Sequence, residues 1–395
     1  MLAIDTSTTS DTLANTGIQR VVRALTSALS VLTQTKPVRL NNAKGIWEIL
    51  NRKELENLTS NPNRQPAGHR GTKRNQRKWT FSALKIPVAT GLQGMDFSGF
   101  IEPELFTSKV FSNLEPFLKG CPGPSLALYY DATSLTLPEL SPKENTHRFP
   151  YYLQELLYFD GIAAISETSK HELLDYWQWL GIKKHPVVKS IPLAVDEILE
   201  GYTPKGPFLN PTILCVGSIE GRKNQVSLLH AAEKLWNQGY KFRLTLLGLA
   251  NQETCGPAME QLQILQDKKR TLEWLGPRTD EELRLQYATS SFTVYPSIAE
   301  GFGLPVLESL KNGKPCVCSS QGAIGEISNG GGCLTVEKPT PEALSKAMKT
   351  LLTDSELHST LCNNARNRTF RTWSDYASDI LEFHKSLNKS YEKSR

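Results

Sequence analysis

The stretch Ser297-Ile298-Ala299-Glu300-Gly301-Phe302-Gly303-Leu304-Pro305-Val306-Leu307-Glu308 decides the fold. It follows a short apolar run, Phe292 to Tyr295, that reads as a buried strand. It leads into helical spacing over Pro305 to Lys311, with proline near the first turn. Glu300 therefore stands at a strand-to-helix mouth, with glycine-flanked backbone N–H groups behind it. Helix N-termini attract phosphate, and a carboxylate at the same mouth accepts hydrogen bonds from sugar hydroxyls. Glu308 lies about two turns further along, within reach of a second part of an extended ligand. One anion-binding mouth with two carboxylates suits a nucleotide-sugar. The plainer alternative is a glycine-rich turn carrying two solvated glutamates.

Around this stretch the chain alternates strand and helix. In the second half, strands are expected at Thr212 to Val216, Phe242 to Leu247, Leu272 to Leu275, Phe292 to Tyr295 and Pro315 to Ser319. Helices are expected at Gln225 to Gln238, Met259 to Asp267, Glu281 to Ala288 and Val306 to Asn312. The first half shows the same habit. Leu2 to Ile4 reads as a strand, Thr6 to Thr16 as a polar loop, and Gly17 opens a helix with Ile18, Val21, Val22, Leu25 and Leu29 on one face. Further strands are expected at Ser125 to Tyr130, Gly161 to Ile165 and Val187 to Pro192, with a helix over Phe149 to Phe159. Ser166 is expected to cap a helix over Glu167 to Trp179. Strands separated by helices predict parallel sheets with right-handed crossovers. Tyr202 to Pro211, with three prolines and one glycine, marks the domain boundary.

Composition agrees with two soluble domains. At 395 residues the chain exceeds the usual size of one core. A net charge of +5 is mild and singles out no partner. The seven cysteines form no C-x-x-C pair, and Cys215, Cys316 and Cys318 lie in apolar runs, so a reduced, cytoplasmic compartment is expected. No stretch approaches the ~20 apolar residues of a membrane span. Thr59 to Lys78 carries Arg64, His69, Arg70, Lys73, Arg74, Arg77 and Lys78 and reads as an exposed insertion. It is either a solvated loop or a contact for an anionic lipid head group. Without a nucleic-acid motif, its basic residues do not argue for DNA or RNA.

The loop Gly217-Ser218-Ile219-Glu220-Gly221-Arg222-Lys223-Asn224 follows the first strand of the second half. Ligands of doubly wound sheets bind at the carboxyl ends of strands, so this loop and the Glu300 loop can converge. Arg222 offers a planar fork for phosphate and Lys223 a mobile point charge. Cations at a helix start are electrostatically disfavoured, so an anion is expected to offset them. Leu275-Gly276-Pro277 forms another strand-end turn that can border a nucleobase.

Together these residues resemble the retaining, two-domain nucleotide-sugar glycosyltransferases that carry the E-x(7)-E motif, glycosyltransferase family four. The likeness runs through Thr16 to Arg23, Tyr130-Asp131, Ile191 to Asp196, Gly217 to Asn224, Leu275-Gly276 and, most specifically, Pro296 to Glu308. It continues to Gly322 through Glu326, while residues 41 to 120 match poorly. The resemblance implies an α/β chain of GT-B architecture, two facing Rossmann-like domains with a cleft between them. It implies an acceptor-side domain over 1–203, a donor-binding domain over 204–372, and a C-terminal helix within 373–395 crossing back to the first domain. Glu300 would contact the donor sugar, and the backbone of Gly301, Phe302, Gly303 and Leu304 would hold sugar and phosphate. Glu308 would bind the ribose, Lys223 and Arg222 would stabilise the diphosphate, and Gly17 would let its loop approach it.

The chain departs from that pattern twice. Ser218 stands where many relatives have arginine, a role Arg222 is expected to assume. Tyr130 stands before Asp131 where many have histidine, offering a hydroxyl to the sugar instead of an imidazole. The resemblance implies no metal or other cofactor, a nucleotide-sugar donor, a saccharide or lipid-linked saccharide acceptor, and a cytoplasmic enzyme peripheral to the inner membrane face. Two alternatives stay open: a nucleotide-sugar hydrolase, phosphorylase or epimerase, and an inactive carbohydrate-binding or scaffolding subunit.

Overall fold

A computed structural model of the protein describes residues 1–41, 45–59, 97–106, 108–196 and 210–387. Among these, two sheets account for every strand. The first contains β1 (Leu2–Asp5), β2 (Thr35–Asn41), β3 (Ile46–Ile49), β4 (Gly99–Glu102), β5 (Ser125–Tyr129), β6 (Gly161–Ala164) and β7 (Val187–Ser190), in the order β3-β2-β1-β4-β5-β6-β7. The second contains β8 (Thr212–Val216), β9 (Arg243–Leu247), β10 (Leu272–Trp274), β11 (Phe292–Tyr295), β12 (Cys316–Ser319) and β13 (Cys333–Val336), in the order β10-β9-β8-β11-β12-β13. Each sheet thus runs outward from its first strand in both directions, the order of a Rossmann fold. The central strands are short apolar runs, buried along their length between helices, as parallel pairing requires.

Two expectations are corrected. β3 pairs antiparallel to β2, so the first sheet is not wholly parallel. Neither strand carries an unbroken apolar run (β2 reads Thr35-Lys36-Pro37-Val38-Arg39-Leu40-Asn41), because β3 is the edge strand, β2 is its neighbour, and both are only partly buried. The helix expected from Phe149 begins at Lys143, where Lys143-Glu144-Asn145-Thr146-His147-Arg148 has no apolar stripe to reveal it. The loop expected over Thr6 to Thr16 holds a short helix at Ser7–Ser10, and β4, β13 and the helices Ser108–Gly120, Pro341–Thr353 and Ser355–Arg366 lie where no element is expected; the other expected strands and helices are present. Ser166 caps the Glu167–Trp179 helix by accepting from Ser169 N at 3.0 Å. The proposed boundary at 202–211 falls almost wholly, and the basic insertion at 59–78 apart from Thr59, outside the described residues.

The two sheets share an apolar seam. Leu2, Ile4, Tyr130 and Ala194 of the first half cluster with Phe302, Val306 and Leu307 of the second. The last helix, Trp373–Ser386, joins them through Tyr376, Ala377, Ile380 and Phe383 and packs on the Gly17–Leu32 helix. Its His384 sits so close to Gly99 that a Cβ there would lie 2.3 Å from the ring.

Three carboxyl groups are buried at the carboxyl ends of β1 and β4: Asp5, Glu102 and Glu104. Glu104 accepts from Thr8 N at 2.6 Å and Thr9 N at 2.7 Å, and its own N–H donates to Glu102 at 3.1 Å. Burial raises all three above the ordinary carboxylate range. The charge of Asp5 adds to this at Glu102 and at Glu104, which is pushed up to about 7. A carboxyl raised on folding stabilises the protein fully below its ordinary pKa, and that contribution is lost as pH rises through the folded value. Glu102→Gln mimics the protonated group. We expect the wild-type melting temperature to fall between pH 5 and pH 8, and to fall less steeply in this variant. Parallel profiles in circular dichroism melts would refute the assignment.

Candidate functional site

The second sheet reverses its strand order between β8 and β11, and such switch points open a crevice at the strand ends. The loop after β8 and the loop after β11 therefore meet. Gly221–Lys223 forms a single 3-10 turn, and Asn224 follows in the left-handed region at φ 55°. From there the Asn224 amide donates to Pro296 O at 3.1 Å and Pro339 O at 2.9 Å. Ile298 N donates to Arg222 O at 2.9 Å, so the two loops are stitched together by backbone and side chain alike.

Glu300 lies at their junction. One carboxylate oxygen accepts from Arg222 Nη1 at 2.9 Å; the other accepts from Lys223 Nζ at 2.5 Å and from the Ser297 hydroxyl. Arg222 also pairs with Glu220 at 3.0 Å. Lys223 donates to the Tyr295 hydroxyl at 2.6 Å and lies 5.1 Å from that ring's centroid. Burial alone would raise the Glu300 pKa, but Arg222 and Lys223 override it and hold the carboxyl at about 2. Burial pulls the Lys223 ammonium below its ordinary value against the attraction of Glu300. The anion expected to offset the two cations is thus supplied by the protein itself. A diphosphate would have to share Arg222 and Lys223 with Glu300.

The first half closes over this cluster. Gly301 packs on the Tyr130 carbonyl so tightly that a Cβ would lie 2.2 Å from the oxygen and 3.0 Å from Asp131 Cβ. The Ser169 hydroxyl spans the junction, donating to Tyr130 O at 2.6 Å and lying 3.2 Å from Gly301 O. Glu326 accepts from Glu167 N at 3.0 Å and Thr168 N at 2.7 Å, capping a first-domain helix from across the cleft. Asp131 adds to the negative field on Arg222, while its Oδ1 accepts from Thr133 N at 2.9 Å. Beneath it, Glu172 accepts from Ala132 N at 3.1 Å, and burial, with the Asp131 charge, pushes it up to about 7.

Other expected residues sit differently. Tyr130 turns its hydroxyl inward to donate to Pro103 O at 2.6 Å, so the expected hydroxyl for a sugar is already engaged. Phe302 is buried in the seam, and only its backbone is left to face a ligand. Gly303, at φ 116°, opens the Leu304–Lys311 helix with Pro305 in the first turn. Glu308, expected free for a ribose, has both oxygens occupied: Tyr287 donates to one at 2.7 Å, and Arg20 pairs with the other at 2.6 Å. Gly17 stands at its helix start with nothing within 4 Å of where a Cβ would be. Ser218 accepts Gln225 Nε2 at its carbonyl, 2.7 Å away. Leu275 N donates to Leu246 O at 3.0 Å, and Gly276 O accepts from Gly248 N at 3.0 Å. Those bonds hold the turn without linking it to Glu300.

Several members of the cluster were not picked out beforehand. Ser297, three residues before Glu300, carried a readable signal, as did Tyr295 at the strand end. Ser169 and Glu172 had none, since their partners are distant in sequence. Among the described residues no group of three or more His, Cys, Asp or Glu could hold a metal ion. We expect Gly301→Ala to cost about 1–3 kcal/mol, because the Tyr130 carbonyl cannot yield without moving its strand end. Gly17→Ala, into open space, should stay within about 0.5 kcal/mol. Equal losses in urea unfolding would contradict this.

Residues 208–368 match the family model described as glycosyl transferases group 1. The chain is 26% identical to O-antigen chain mannosyltransferase B of Escherichia coli over 242 residues, which are 58% of this chain and 62% of that protein. It is 28% identical to a D-inositol 3-phosphate glycosyltransferase of Corynebacterium urealyticum over 191 residues, 46% of this chain and 44% of that protein. In three dimensions it resembles sucrose-phosphate synthase from Thermosynechococcus elongatus, with TM-score 0.68 at 16% identity, covering 97% of this chain and 98% of the other. It also resembles Anabaena HepE solved with UDP and glucose, with TM-score 0.67 at 15% identity, covering 98% and 99%. These likenesses show the GT-B fold.

Proposed function

Because residues 208–368 match the model of the group 1 glycosyl transferases, we propose that the chain moves a hexose from a nucleotide-diphosphate sugar to a saccharide hydroxyl. The observation that carries this reading is the ionised Glu300 held between Arg222 and Lys223 at the strand ends that face the first domain. A carboxylate fixed in that state accepts hydrogen bonds from sugar hydroxyls. The two cations beside it stabilise the charge that grows on a departing diphosphate.

In the reaction we infer, the bond between the anomeric carbon and the phosphate oxygen breaks. The acceptor oxygen bonds to the same face of the sugar, and its proton passes to the leaving phosphate oxygen. Configuration is retained and no metal is required, since Arg222, Lys223 and the helix N-terminus at Gly303 supply the positive field. Asp131, beside Gly301, faces the same space from the acceptor side. Mannose is the favoured sugar, on the strength of the relatives' names, and surface polysaccharide assembly the favoured setting. The acceptor then includes lipid-linked saccharides, with peripheral attachment through the basic stretch at 59–78, for the most part outside the described residues.

GDP-mannose and UDP-glucose with saccharide acceptors, followed by NMR of the product anomer, test this directly. Glu300→Gln and Lys223→Ala should each lose most turnover, by about 100-fold or more, while melting as folded proteins. Inverted product would overturn the retaining mechanism, and near-wild-type rates in both variants would overturn the site.

A further inference from the structure

Arg20 stands one turn into the Gly17–Leu32 helix and ties the two halves together. Its Nη1 lies 2.6 Å from Glu308 Oε1, and its Nη2 donates to Asp196 Oδ2 at 2.7 Å. Asp196 is fixed in turn by Trp373 Nε1 at 2.7 Å, and Glu308 by the Tyr287 hydroxyl at 2.7 Å. The pair is largely withdrawn from water, with 21% of the Arg20 side chain and 9% of the Glu308 side chain exposed. The cavity bordered by Arg20, Asp196, Asp280, Arg284, Tyr287 and Glu308 has only about 60 Å³.

We propose that Arg20 is the gate of the donor site, holding Glu308 while the nucleotide is absent and yielding it to the ribose when the nucleotide enters. The inference rests on the glycosyltransferase reading and adds a competition to it. A buried carboxylate is costly without a partner, so Arg20 cannot withdraw from Glu308 alone. A ribose diol brings two O–H donors to the oxygen that Arg20 leaves, which makes the exchange possible only with the ligand present. Asp196 keeps the displaced guanidinium from being stranded. The forked guanidinium suits this duty because it can serve two carboxylates at once and retain one, which a lysine ammonium does less well. Linkage then requires reciprocity: whatever strengthens the Arg20–Glu308 pair weakens the nucleotide, and the reverse.

The test is calorimetric titration of UDP, GDP, ADP and dTDP into wild type, Arg20→Lys and Asp196→Asn. Arg20→Lys loosens the pair and should bind the preferred nucleotide at least about fivefold tighter. Asp196→Asn removes the resting place of the displaced guanidinium and should bind it weaker by a similar factor. A purely structural Arg20 would lower the melting temperature without producing opposite signs. Unchanged affinity in both variants overturns the gate. Weaker binding by Arg20→Lys also overturns it and makes Arg20 a direct ligand instead. If wild type binds none of the four nucleotides, the donor-site reading fails and the gate with it.

Discussion

A buried carboxylate between two cations governs the arrangement of the donor side. Glu300 stays ionised away from water because Arg222 and Lys223 both reach it, and its charge in turn offsets theirs. That mutual need fixes the loop after β8 against the loop after β11. The remaining details follow from it: the left-handed Asn224 that turns the first loop toward Pro296, the Ser297 hydroxyl that takes a place on the carboxylate, and Tyr295 lying against Lys223. Because the switch point sets β8 beside β11, the sheet order itself brings these partners together.

The cleft is closed by two kinds of contact that act in different ways. The apolar seam of Tyr130, Phe302, Val306 and Ile380 resists separation without specifying an angle. The polar bridges, Glu326 to the Glu167 helix, Ser169 to Gly301, and Arg20 to Glu308, do specify one. The apolar seam thus holds the halves together, and the polar bridges that cross it set the angle between them.

Much of this was legible in the sequence. The strand and helix alternation, the Glu300 mouth and its convergence with Arg222 and Lys223 follow from local patterns: apolar runs, a proline in a first turn, a glycine where φ is positive. What escaped was whatever depends on distant partners. Nothing near Arg20 announces that Glu308 is its counterion, and nothing in Tyr130 says whether its hydroxyl faces the cleft or Pro103. Strands β2 and β3, at one end of the first sheet, are hard to read because partial burial erases the apolar signature that fully buried strands carry.

The last helix has a consequence for how the chain is made. Leu2, Ile4, Val21 and Leu25 emerge well before Tyr376, Ala377, Ile380 and Phe383, with which they complete their packing. At ~5–20 residues per second, the ribosome needs roughly ten to forty seconds to pass from the end of β7 to that helix. Through that interval the first half carries an uncovered greasy face, a standing invitation to chaperones and to neighbouring nascent chains. The first half therefore ripens only when the helix at 373–386 arrives, and a chain cut before residue 373 leaves that face uncovered.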